Sequence, residues 1–250
     1  MFTLLKRILP ILGLLLFSTP AWATWSLIHT SANADITSSG STSTITGTPS
    51  AGNLLVAFYA DRSSATFSVT SVTGACTGSW VVPAGAHSTN ATGARAQQLA
   101  YCLNAAASTT VTTNYTGASD TVTPSFTEYH STVGNFFDLA AGSTNLSCVS
   151  TTCTGPSVTT TGSNDMIVTY FSSNTNTPTA TAGPFTFELG SSFTDNHGNP
   201  LAHALNQAAS SYAPVWTEGT DNTANNTVIA FSESAGGTAA SKLAGPAVIH

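Results

Sequence analysis

The chain has 250 residues, of which only 6% are charged and 41% are apolar. Beyond the N-terminal segment, Arg62, Arg95 and Lys242 face 11 carboxylates, a net charge of about −8. Nucleic-acid and anionic-lipid binding both depend on Lys and Arg, so this composition excludes them as partners.

Met1–Ala23 reads as an export signal. Lys6 and Arg7 form its basic start, and Ile8–Phe17 is a short apolar run. Ser18-Thr19-Pro20 breaks the run before the A-x-A site Ala21-Trp22-Ala23. The expected mature chain starts at Thr24 and has no membrane insertion, because no later run approaches the ~20 apolar residues of a spanning helix. No Cys follows the apolar run, so a lipid anchor is not expected.

From Thr24 onward the sequence is a series of short β-prone runs between Gly, Asn, Ser and Thr clusters. The expected strands are Trp25–His29, Ser43–Thr46, Leu54–Tyr59, Thr66–Val72, Trp80–Val82, Gln97–Leu103, Thr109–Asn114 and Thr121–Tyr129. They continue with Ser157–Thr160, Met166–Phe171, Phe185–Glu188, Ala202–Asn206, Ala213–Thr217 and Thr227–Phe231. Leu54–Tyr59 is apolar throughout, as a strand covered on both faces should be. Thr121–Tyr129 alternates, with Val122 and Phe126 on one face. No helical periodicity is sustained, so the expected class is an all-β antiparallel sandwich of jelly-roll type. Residues 24–232 form it, and the Gly- and Ala-rich stretch 233–250 reads as a tail.

The two halves, about 50–130 and 160–232, echo each other. Gly52–Tyr59 resembles Asn164–Phe171. Ala100–Ser108 matches Ala202–Ser210 at six of nine positions, and Phe126-Thr127-Glu128 matches Phe231-Ser232-Glu233. The offsets are 112, 102 and 105 residues, in the same order. Either two similar half-sheets face each other in one pseudo-symmetric sandwich, or two small sandwiches lie in tandem. The lack of a Pro-rich or charged linker favours one domain.

Four cysteines, Cys76, Cys102, Cys148 and Cys153, lie in the exported part and read as two structural disulfides. The favoured pairing is Cys76–Cys102 with Cys148–Cys153. Neither C-x-x-C spacing nor partnering histidines indicate a metal.

Several motifs together resemble an uncharacterised group of bacterial and phage-associated extracellular β-sandwich domains, of jelly-roll or concanavalin-like type. They are G-N-L-L-V-A at Gly52–Ala57, S-V-T at Ser68–Thr70 and Ser71–Thr73, Trp80, and A-Y-C-L-N-A-A at Ala100–Ala106. T-V-T, Glu128-Tyr129, Phe137–Leu139, Thr159–Gly162 and Val228–Phe231 complete the set. The resemblance covers roughly Trp25 to Phe231 and implies a fold. It carries no activity, cofactor or site residue.

Chemistry has few candidates. Alternation puts Glu128 on the core face with Val122 and Phe126, and Glu233 stands beside Phe231. An inward carboxylate could serve as a general acid, with Glu218 or Asp138 as the second carboxylate of a glycosidase. The plainer reading is a strand-end cap. Asp195–Asn199 and Asp221–Asn225 are oxygen-rich stretches that could hold Ca²⁺, but they lack the twelve-residue calcium-loop pattern and read as turns. His130, His197 and His203 are scattered, so no metal ligand set is expected. Trp80 and Trp216 read as core, and Trp25 as the least constrained tryptophan. Four N-x-S/T sequons, beginning at Asn90, Asn114, Asn145 and Asn225, follow from Asn and Thr richness. The expected function is therefore a secreted, non-enzymatic module, structural or binding a polysaccharide or cell-surface component, with no catalytic residue and no cofactor. A jelly-roll carbohydrate-active enzyme is the alternative.

Overall fold

A computed structural model describes residues 24–61, 63–118, 122–143, 146–148, 152–173, 180–187, 200–217 and 221–233. The expected export signal and the stretch beyond Glu233 lie outside them.

Eight strands make up the first half: β1 (Trp25–Ala32), β2 (Ser41–Thr44), β3 (Leu54–Asp61), β4 (Ser68–Thr73), β5 (His87–Asn90), β6 (Arg95–Cys102), β7 (Thr110–Thr116) and β8 (Val122–Ser131). They form a large sheet in the order β1-β8-β3-β6-β5 and a small one in the order β2-β7-β4, and every pairing is antiparallel. A strand order of 1-8-3-6 facing 2-7-4 is the double Greek key of a jelly roll, here with β5 added to the larger sheet.

The second half repeats this plan. Its strands are β9 (Phe136–Gly142), β10 (Leu146–Cys148), β11 (Thr152–Thr154), β12 (Val158–Thr159), β13 (Asp165–Ser172) and β14 (Ala180–Ala182). They continue as β15 (Thr186–Phe187), β16 (Leu201–Gln207), β17 (Ser211–Tyr212), β18 (Val215–Thr217) and β19 (Asp221–Ser232). Its large sheet runs β9-β19-β13-β16-β15, with β10 sharing the β9 edge of β19, and its cover is β12-β17 together with β11-β18-β14. Strands β17 and β18, separated at Ala213-Pro214, together answer β7. Among the described strands of this half, β10 and β11 have no counterpart in the first.

Four β-layers result, with three apolar interiors between them. Both faces of β3 are buried along all eight residues. Leu55, Ala57 and Tyr59 pack under β2-β7-β4 with Ile45, Phe67 and Val111. Leu54, Val56 and Phe58 pack against Met166, Val168 and Tyr170 of β13. The outer face of β13, with Ile167 and Phe171, meets Trp216, Val158 and Phe185 under the second cover. Full coverage explains why Leu54–Tyr59 is apolar at every position rather than at alternate ones.

Strand pairing gives the equivalences directly. Leu54 opposes Tyr129, and Met166 opposes Phe231. Val56 opposes Tyr101, and Val168 opposes His203. Tyr129 therefore corresponds to Phe231, and Glu128 to Ala230. The echo of Phe126-Thr127-Glu128 in Phe231-Ser232-Glu233 is three residues out of structural register, whereas the other two sequence matches are in register. Both edge strands also carry a register shift at the same point, between Leu27 and His29 in β1 and around Asp138 in β9.

The large sheets meet as an isologous pair within one chain, each residue contacting its counterpart's partner. Phe58 and its equivalent Tyr170 lie 5.1 Å apart. Tyr129 meets His203 edge-on at 5.7 Å, and the reciprocal pair Phe231 and Tyr101 does so at 5.3 Å. Trp25 Nε1 donates to Asn164 O, and Asn135 Nδ2 donates to Gly52 O, the same contact seen from the other side.

Cys76 is bonded to Cys102 and Cys148 to Cys153, with Cα separations of 6.0 and 4.5 Å. The first bridge ties the segment after β4 to the end of β6, and the second closes the β10–β11 excursion. Closed bridges of this kind persist in oxidising compartments. No helix among the described residues is long and apolar enough to cross a membrane. The one helical element described is a 3₁₀ turn at Ala84–Ala86. Val81 makes a lone bridge to Tyr101 in place of the expected strand Trp80–Val82. Glu233, expected as the first residue of the tail, is 6% exposed and belongs to the fold.

Candidate functional site

Glu128 is the most chemically conspicuous residue of the first jelly roll, and it points where alternation places it, into the interior beside Phe126 and Val122. It is fully buried. The Ser50 N–H donates to Oε1 at 2.8 Å and Asn53 Nδ2 donates to the same oxygen at 2.5 Å. His29 Nδ1, opposite on β1, stands 2.9 Å from Oε2, at an angle too poor for a directed hydrogen bond. Asn53 Oδ1 lies 2.9 Å from His130 Nδ1. The carboxylate closes the turn before β3 and leaves neither oxygen facing a cleft.

The second jelly roll solves the same problem differently. Asp165, the counterpart of Asn53, accepts directly from the N–H of Gly162 at 3.1 Å, three residues before it as Ser50 is before Asn53. A Cβ on Gly162 would come within 2.1 Å of Asp165 Oδ1, so the shorter acid packs closely against glycine there and would have to shift for any larger residue. The positions of Glu128 and His29 are then taken by Ala230 and Leu139, which oppose each other across β19 and β9. One backbone N–H in each unit is capped by a carboxylate from a different strand. A buried polar pair and an apolar pair are often interchangeable in stability, and the two units place a Glu–His contact and an Ala–Leu contact at the same point.

Asp138, expected as a possible second acid with Glu128, lies instead on the second unit with Asp165, where both hold the Thr160–Gly162 turn. Burial raises the Asp138 carboxyl above its ordinary range, against a hydrogen bond from the Thr161 backbone. Burial, and then the charge of Asp138, raises that of Asp165, opposed by hydrogen bonds from Thr160 and Gly162. A shallow cleft of about 160 Å³ opens beside Asp165 and Glu233. Ser131 Oγ, the counterpart of Glu233, donates to Glu233 Oε1 at 3.1 Å. Glu218 lies outside the described residues.

Among the described residues no three His, Cys, Asp or Glu side chains cluster as a metal site. Asp221–Asn225, expected as a turn or calcium loop, is part of β19, and Asn225 Oδ1 accepts from Ser88 Oγ. Asp195–Asn199 and His197 are outside the described residues. His203 is buried against Tyr129, and burial lowers its pKa to about 4. Trp216 is buried against Phe171, and Trp80 packs on the first interior, donating Nε1–H to Gly74 O. Trp25 overturns its expected freedom: it is 2% exposed and pins the two units together. Asn90 and Asn225, at two of the four sequons, are fully buried.

The cover sheet β2-β7-β4 presents a chemically uniform face. Its inward residues are Ser43, Val69, Val72, Val111, Thr113 and Tyr115, so strand alternation turns only Ser, Thr and Asn outward. Thr42, Thr112 and Thr73 form one rung, with the Thr42 and Thr112 hydroxyls 3.3 Å apart. Asn114 Nδ2 donates to Ser71 Oγ on the next rung. No charged side chain stands on these three strands. This face was not singled out from sequence, because alternating Thr and Val identify strands without identifying which strands lie side by side.

No family model matches this sequence, and no significantly similar curated protein was found.

Proposed function

We propose that this chain is a secreted, non-enzymatic β-sandwich module that binds a glycan or a comparable surface polymer. The observation that carries the reading is the uncharged, hydroxyl-bearing face of β2-β7-β4, presented on a unit tied by Cys76–Cys102. Hydroxyls both donate and accept, so such a face offers hydrogen bonds to a hydroxylated polymer without selecting for charge. The state of Glu128 supports the non-enzymatic part. A general acid must reach the bond it protonates, and this carboxylate is enclosed and engaged by Ser50, Asn53 and His29.

The test combines a glycan array with a hydrolase panel on the purified mature chain. The expected outcome is retention on a glycan without turnover. Turnover that Glu128→Gln abolishes, with the circular-dichroism spectrum unchanged, would overturn the reading in favour of a carbohydrate-active enzyme.

A further inference from the structure

We infer that the β2-β7-β4 face binds neutral, extended polysaccharide rather than acidic polymers or single sugars; this rests on the glycan-binding reading above and narrows it. The ligand's charge follows from the cations. Among the described residues the one Lys or Arg is Arg95, and it is fully buried. An acidic polysaccharide would meet no Lys or Arg on the three strands of this face, while the chain as a whole carries net negative charge, so its approach is disfavoured. A neutral polymer meets no such barrier.

Ligand length follows from the shape of the face. The rungs Thr42-Thr112-Thr73 and Asn114-Ser71 lie on three strands about 4.8 Å apart, and outward residues along a strand recur about every 6.8 Å. A single sugar would touch one or two hydroxyls of this array and gain little over water. A chain several residues long, or the surface of an insoluble polymer, engages several rungs at once, and the later contacts form within an existing complex. Thr suits the task because its hydroxyl bonds to sugar hydroxyls while its methyl group lies against C–H faces. Its β-branched side chain is also held in few rotamers, so little freedom is lost on contact. Among the described residues the second unit does not offer the same continuous surface. Its cover is broken at Pro214 into two short pieces, β17 and β18.

The experiment is a pull-down of the mature chain on cellulose, chitin and insoluble β-1,3-glucan, with alginate and pectate gels as acidic counterparts, at low and high salt. Retention on at least one neutral polymer, unchanged by salt, and none on the acidic gels is expected. In Thr42→Val/Thr73→Val/Thr112→Val, which keeps side-chain shape and removes the hydroxyls, affinity should fall at least tenfold. Thr112→Lys, whose side chain stands clear of the interior, should reproduce the loss. Thr152→Ala/Thr154→Ala/Thr217→Ala, on the exposed face of the second unit, should bind like the parent. Undiminished binding by both face variants would overturn the placement and leave the glycan reading standing. Salt-sensitive retention on the acidic gels would overturn the neutral specificity, and no retention on any polymer would overturn both.

Discussion

At the scale of single residues, the two units act as controls for each other. Glu128 in the first and Asp165 in the second cap the same turn, so the fold of a unit does not require a glutamate on β8. Glu128→Ala alone should destabilise the protein by about 3 kcal/mol, because it strands the Ser50 N–H and Asn53 amide and removes one partner of a buried pair. Combining it with His29→Leu, Ser50→Gly and Asn53→Asp rebuilds the arrangement of the second unit and should return stability to within about 1 kcal/mol of the parent. Urea denaturation measures both variants, and a quadruple variant no better than the single one would show that the equivalence is wrong. His203 gives a pH dependence. Its folded pKa, lowered to about 4 by burial, lies below the ordinary histidine value of 6.5. The unfolded chain therefore binds the proton more readily, and stability falls as pH drops from 6.5 towards 4, by up to about 3 kcal/mol. His203→Phe should flatten that slope in a series of melts. A slope that survives the substitution would assign it to other groups.

At the scale of strands, the long alternating or wholly apolar runs were legible: β3, β8, β13 and β16 fall where periodicity predicts them. The short ones were read unevenly: β2, β12, β15 and β18 overlap expected strands, whereas six others do not. Strands β5, β9, β10, β11, β14 and β17 are two to seven residues long, and runs so short offer few positions from which to read a period. The repeat shows the same limit. Letters matched Phe126-Thr127-Glu128 to Phe231-Ser232-Glu233, but hydrogen-bond register sets equivalence, and a shift of three residues reverses the face of every side chain. Glu128 was readable as an inward carboxylate; its enclosure was not, since Ser50, Asn53 and His29 come from other segments. The disulfides were legible from count and spacing alone. Peptide mapping without reductant should recover Cys76 with Cys102 and Cys148 with Cys153. Replacing the first pair by alanine should cost roughly 3–4 kcal/mol and the second about 2, following the loop lengths of 26 and 5 residues. Equal costs would argue against a loop-entropy origin.

At the scale of the whole molecule, the central interior shared by β3 and β13 should make the two jelly rolls unfold as one cooperative body. Separating them would expose Leu54, Val56 and Phe58 together with Met166, Val168 and Tyr170. Phe58→Ala should cost about 3–5 kcal/mol. It should lower a single melting transition, with aromatic and backbone signals still coincident. Two separated transitions would mean that the units unfold independently. The reciprocal aromatic contacts explain why no linker composition marks the boundary at residues 132–135: the segment is held on both sides, and a spacer between the units would serve no purpose.

The connection between the jelly rolls also sits where the described chain begins and ends. The Thr24 N–H donates to Thr132 Oγ1, and Glu233 accepts from Ser131, both at 3.1 Å, while Val133 beside them is 66% exposed. One pole thus gathers both ends of the described chain and the crossing point. A circular permutant that joins Glu233 to Thr24 through a few glycines and opens at Val133 would exchange the order of the jelly rolls and leave every strand pairing untouched. For this architecture, the order in which the halves are joined should leave the finished shape unchanged, which a superimposable circular-dichroism spectrum of the permutant would show.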